Sequence, residues 1–300
     1  MIAAKINLIG QSIQNFHKIE RHTLIPFLSA LFLLFYFAFN HFQREPLLTL
    51  IFSILLSIGM FKRTILSSGK YWLFLTALFL IWLRHWQIID NHHYLVFYWL
   101  FALGCAYSAP TEKQEDILEI SAKWLVGLCM LFSVFQKFIN VNYLGGDFFH
   151  YTFITDIRFR VFGPFLDFDL TNLILSNINL LTKLKETQSP VIIQLGPTII
   201  SNFTFLFSYI VLCFEGLLAL LFLSPNKSLL AKNRYYFLLV FCFIYILLPV
   251  KGFGTLLLLM GLTQKELYEN LFLKIGTLIF MSYIFFLSGP VLNYLFFIPK

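Results

Sequence analysis

Long apolar runs separated by short polar stretches mark the chain from Leu24 to Leu287. A membrane-spanning helix needs about 20 mainly apolar residues. Runs that meet or approach that length lie near Leu24–Phe42, Leu47–Met60, Tyr71–Leu83, Tyr94–Tyr107, Ala122–Ile139, Phe203–Leu223, Tyr235–Pro249 and Asn270–Leu287. Several are short, so tilt or flanking polar residues must complete the crossing. Phe253–Leu262, and Val291–Ile298 after the Gly289-Pro290 break, complicate a count that we set at about eight, between seven and nine. The pattern predicts an all-α fold, a polytopic transmembrane helical bundle forming one integral-membrane domain over residues 1–300.

Basic residues in the short loops orient such a bundle, because they collect on the cytoplasmic side. The N-terminal stretch carries Lys5, Lys18 and Arg21; the second loop Lys62, Arg63 and Lys70; the fourth Lys113 and Lys123; the sixth Lys227, Lys232 and Arg234. Arg44 and Arg84 are the basic residues of the first and third loops. The N-terminus is therefore expected in the cytoplasm of a bacterial cell membrane. Two polar stretches then face outward: Arg84–His93 and the long connection over 138–202. Long connections are where function concentrates. Within this one, Asp169 or Thr171 can cap a helix over about 169–186. Its residues Leu170, Leu173, Ile174, Leu181 and Leu184 recur at helical spacing. That helix is expected to lie on the outer interface or roof a cavity, or else to pack onto the bundle.

Composition narrows the class. The chain is 59% hydrophobic and 12% charged, with 38 Phe, against about 45–50% and about 25% in soluble domains. So little charge cannot cover a soluble globule of 300 residues. The net charge of +7 therefore does not signal nucleic acid, and a cytosolic enzyme is excluded. Cys105, Cys129, Cys213 and Cys242 stand apart in apolar runs, which supports neither a disulfide framework nor a metal site. Met1 to His22 lacks the apolar core and cleavage site of a signal peptide.

Polar groups in lipid are costly and tend to line cavities. Lys137, in Gln136-Lys137-Phe138, closes the fifth run near the expected outer boundary. Its ammonium either snorkels to headgroups or sits in a dry pocket, where desolvation frees a neutral amine as base or nucleophile. Asp90-Asn91-His92-His93-Tyr94 opens the fourth run on the same face, as an acid–base relay or as an interfacial cap. Glu215 lies deep in the sixth run, about 18 Å along the helix from Phe203 and so near the midplane. It must be protonated or paired; Lys251 is a candidate partner, and Gly216 offers close helix approach. The sequons at Asn202 and Asn226 are short chance patterns, and no Walker loop, Rossmann glycine pattern or Gly-x-Ser-x-Gly occurs.

These residues carry a family resemblance. Asn91-His92-His93-Tyr94-Leu95 resembles the Asn-His-x-Tyr-Leu segment of the vitamin K-dependent gamma-carboxylase-like family, which includes the horizontally transferred transmembrane (HTTM) proteins. Gln136-Lys137-Phe138 followed by Tyr143 and Gly145 resembles the family's lysine, aromatic and glycine at matching offsets, and Glu215 resembles a recurring glutamate in a later span. The likeness covers roughly Tyr71 to Leu262. It implies a helical bundle with an extracytoplasmic pocket, Lys137 as a base on a reduced quinone, and His92 assisting. Asn91, His93, Tyr94, Gln136, Tyr143 and Glu215 would support that pocket.

The likeness has departures. Tyr143 stands where the family has Trp, Tyr245–Lys251 holds no counterpart of a later histidine, and the carboxylases' large C-terminal region has no room here. Full glutamate carboxylation is therefore not expected. The length is similar to the short bacterial type represented by sporulation-delaying protein B, a family member needed to mature a secreted peptide toxin. The resulting expectation is an enzyme or maturation factor for an exported peptide or toxin precursor, in contact with membrane lipid and using a quinone. The alternative is a non-catalytic protein that binds lipid, quinone or toxin peptide as partner or immunity factor. A transporter is disfavoured because charged residues do not line successive runs.

Overall fold

The computed structural model describes residues 20–40, 45–83, 91–165, 169–225, 233–247 and 251–284. The described residues are mainly helical, with no strand among them. The helices are α1 (Arg21–Asn40), α2 (Pro46–Phe61), α3 (Arg63–Leu66), α4 (Gly69–Trp82), α5 (Asn91–Ser108), α6 (Thr111–Ile139), α7 (Val141–Leu144) and α8 (Asp147–Thr155). A 3-10 segment (Ile157–Phe165) leads to α9 (Leu170–Thr187), α10 (Thr198–Leu223), α11 (Arg234–Leu247), α12 (Lys251–Leu262), α13 (Lys265–Glu269) and α14 (Leu271–Ser282). Two of them, α6 and α10, are long and apolar enough to cross a membrane, by length and composition. The other apolar segments expected to span form shorter helices, and Val291–Ile298 lies outside the described residues.

The chain forms two compact units, residues 1–126 with 251–285, and residues 127–250 with 286–300. In the first, aromatic rings build the core: Phe37 stacks on Phe52 at 4.5 Å, and Phe79 lies 5.3 Å from Trp82. Helix α12 settles the ambiguous stretch Phe253–Leu262. Leu256 to Met260 are all fully buried, as a helix apolar on every side must be.

At the polar end of this unit, Arg21 forks onto two carboxylates one helical turn apart. Its Nε donates to Glu115 Oε2 and its Nη1 to Glu119 Oε2, each at 2.9 Å, and Nη1 also reaches the Thr263 carbonyl at 2.8 Å. That grip explains why α6 begins at Thr111 and not near Ala122. Charges that read as a loop belong to one helical face, and Lys113 and Lys123 lie inside the helix. Arg234, another residue assigned to a loop by its charge, is fully buried, its guanidinium 5.5 Å from the Tyr235 ring centroid and 6.0 Å from that of Phe222.

The second unit contains the expected amphipathic helix. Asp169 caps α9, its carboxylate accepting from the Asn172 N–H at 3.1 Å. The apolar face of α9 packs within the unit: Leu170, Leu173 and Ile174 join Phe153, Ile154, Phe159 and Ile200 in a buried cluster. Leu184, one turn before the helix end, is exposed. Ile192 and Leu195 are also exposed, in the irregular stretch before α10. Close approach of α6 and α10 occurs at Gly127, where a Cβ would meet Leu223 Cδ2 at 2.7 Å. At Gly216 the nearest side chain, Val134, would be at an ordinary 3.9 Å.

Candidate functional site

Helices α6 and α10 bring Lys137 and Glu215 together. Lys137 Nζ lies 2.6 Å from Glu215 Oε1 and 2.5 Å from Oε2. Both side chains are largely withdrawn from the surface, with 18% of Lys137 and 9% of Glu215 exposed. Ser133, one turn before Lys137 on the same face of α6, closes the arrangement. Its Oγ accepts from Lys137 Nζ at 2.6 Å and donates to Glu215 Oε2 at 3.0 Å. Three polar groups thus satisfy one another.

The segment after α6 folds a ring over the ammonium. Asn140 caps α7 by accepting from the Asn142 N–H at 3.1 Å. This turn sets Tyr143 with its ring centroid 5.3 Å from Lys137 Nζ, within reach of a cation–π contact. The Tyr143 hydroxyl donates to the Ser208 carbonyl on α10 at 3.3 Å. Burial, and then the Glu215 charge, push its phenol above the ordinary value. A chain of rings continues from it: Phe149 is 5.3 Å from Tyr143, and Phe207 is 5.2 Å from Phe149.

The glycine that shapes this turn is Gly146, next to the Gly145 of the sequence pattern. It has φ 82, in the left-handed region, and a Cβ there would come within 2.9 Å of Phe205 Cα. Backbone of the two elements therefore meets at that point, which fixes Tyr143 against α10.

Lys137 and Glu215, which the sequence reading treats separately, are in contact. Moreover, Glu215 finds its partner in Lys137; the side chain of Lys251 lies outside the described residues. Ser133 and the Ser208 carbonyl were not anticipated, although a serine four residues before a lysine in a helix is a readable signal. Of the remaining candidates, Gln136 is exposed. His93 is buried in the first unit, its ring 4.8 Å from Trp82 and 5.7 Å from Tyr36, and Tyr94 is half-buried in the same unit. The side chains of Asn91 and His92 lie outside the described residues, as does Asp90.

No family model matches this sequence, and no curated protein or solved structure is significantly similar to it.

Proposed function

We propose that the chain is a multi-pass membrane protein that modifies or matures an exported peptide, with Lys137, Ser133 and Glu215 as its proton-transfer centre. The observation that supports this reading is the paired ammonium and carboxylate between two long apolar helices. Charges withdrawn from water are expensive unless paired and hydrogen-bonded. Helix rise gives the depth: Lys137 lies about 21 Å beyond Lys123, and Glu215 about 12 Å before Leu223. In a hydrocarbon slab of about 30 Å, both counts from the cytoplasmic end put the pair inside it. The part of 138–202 that follows α6 then folds in the outer half of the membrane or on its surface.

In this reading Lys137 is the base and Glu215 receives or returns its proton. Tyr143 covers the pair and excludes water. A reduced quinone fits the residues present, because the rings from Tyr143 to Phe207 make a wall suited to a planar ring beside a hydrogen-bonding cation. Tyr143 and Lys137 would hold it, and it would supply reducing electrons.

Replacement of the native gene by Lys137→Ala or Glu215→Gln, followed by mass spectrometry of secreted peptides, tests the proposal. Loss of one mature peptide with unchanged membrane levels of the protein is expected. An unaltered secreted profile would overturn it. A second reading, a non-catalytic binding protein, is favoured by the completeness with which Glu215 and Ser133 occupy the ammonium. Lys137→Arg separates the two, since arginine keeps the ion pair but holds its proton permanently. Retained maturation with arginine would establish the binding role.

A further inference from the structure

We infer that Ser133 is the nucleophile of an acyl-transfer reaction on a peptide carbonyl, with Lys137 as its base. This deepens the reading of the Lys137 site and rests on it for the peptide substrate. The first support is a comparison within the molecule. Helical hydroxyls buried among apolar neighbours normally return to their own backbone. Those of Ser29, Thr76, Thr204, Ser208 and Thr277 all donate to the carbonyl four residues back, at 2.7–2.9 Å. Ser133 does not. Its hydroxyl is turned to Glu215 and accepts from Lys137.

The second support is geometry. Nucleophile and base stand 2.6 Å apart, within the range for direct proton transfer. They sit one turn apart on a single helix, so their spacing does not depend on the packing of α6 against α10. Glu215 contacts both, and so can order the base and hold a proton. Serine with lysine as its base is a known variant of the serine triad. Ser133 is half-buried, so the residue is not sealed from the surface.

In the reactive form the Lys137 ammonium passes a proton to the Glu215 carboxylate that it touches. With it on Glu215, the amine is neutral, and the Ser133 hydroxyl turns its hydrogen toward that lone pair. Oγ forms a bond to the peptide carbonyl carbon, the carbonyl π electrons move onto oxygen, and the hydroxyl proton passes to Lys137. Collapse re-forms the carbonyl and breaks the C–N bond, and the departing amine takes the proton from Lys137. Water then attacks the serine ester with the same amine as base, releasing a carboxylic acid and restoring Ser133.

The test is reaction of the purified full-length protein with an alkyl fluorophosphonate, mapped by peptide mass spectrometry, beside the secreted-peptide assay in the native host. The expected result is an adduct on Ser133 whose rate falls at least tenfold in Lys137→Met, with Ser133→Ala abolishing both adduct and mature peptide. Absence of a Ser133 adduct, or labelling undiminished in Lys137→Met, overturns the nucleophile. So does maturation lost in Lys137→Ala but kept in Ser133→Ala, which leaves Lys137 as a base alone. A lysine-dependent adduct with an unchanged secreted profile upholds the nucleophile and overturns the peptide substrate.

Discussion

Asn177 holds Gln194 as one strand holds its neighbour: its Nδ2 donates to the Gln194 carbonyl, and its Oδ1 accepts from the Gln194 N–H, both at 2.9 Å. The same amide donates to the Ile154 carbonyl at 3.1 Å, and Asn177 itself is fully buried. One side chain thus ties α8, α9 and the stretch leading into α10. Asn177→Ala leaves the Ile154 carbonyl without this donor, at a cost of about 1–3 kcal/mol. Asn177→Asp should cost more, since it also faces a carboxylate toward two carbonyl oxygens. Limited proteolysis between Gln188 and Gly196 is expected to accelerate in both, more in the aspartate variant.

The Lys137–Glu215 pair should behave as a unit. Removing one partner strands a withdrawn charge and typically costs about 3–5 kcal/mol, whereas replacing both with apolar side chains is often neutral. Lys137→Met and Glu215→Leu are each expected to lower the unfolding midpoint in detergent. The double variant should recover most of the loss, giving a coupling energy of opposite sign to the single effects. Additive losses would show that the two side chains are energetically independent.

Two glycines make a matched comparison. Gly146 combines positive φ with backbone contact to Phe205, so Gly146→Ala should destabilise by about 1–3 kcal/mol and loosen Tyr143. Gly276, inside α14, has nothing within 4 Å of where a Cβ would lie. Gly276→Ala is expected to raise stability by about 0.5–1 kcal/mol through helix propensity. Thermal denaturation of the two variants side by side checks the contrast.

Tyr143 sets an alkaline limit. Its phenol is raised in the folded state, so this contribution to stability is fully present below the unfolded tyrosine value, about 10. Above that pH the unfolded chain releases a proton that the folded chain retains, and stability falls as pH rises further. One such group contributes a slope of about 1.4 kcal/mol per pH unit. Tyr143→Phe should make the alkaline limb of a stability–pH curve shallower by that amount and leave the curve below pH 9 parallel to the original.

Much of the helical framework was legible because apolar periodicity and caps are local. Asp169 capping α9 is the clearest case. Lys137 and Glu215 also stood out, since a charge in an apolar run is conspicuous wherever it occurs. Their pairing was not legible, because each position was counted from its own segment's assumed boundary and α10 begins at Thr198, before the apolar run starts at Phe203. The early start of α6 was missed for a related reason: Glu115 and Glu119 look like loop residues until Arg21 occupies them. Arg234 misled in the same way, since loop-like charge does not reveal the rings of Phe222 and Tyr235. Ser133 carries no signal in hydropathy at all; only its spacing from Lys137 points to it.

The separation of 78 residues between Lys137 and Glu215 has a consequence for biogenesis. At a ribosomal rate of about 5–20 residues per second, the lysine emerges roughly 4–16 s before its carboxylate is made. If the chain is inserted as proposed, a nascent α6 entering lipid must meanwhile extend that side chain toward phosphate headgroups. It can adopt its final vertical register only when α10 arrives and draws the ammonium inward. In the proposed multi-pass reading, insertion of these two helices is a two-step event, with the earlier helix reseated by the later one.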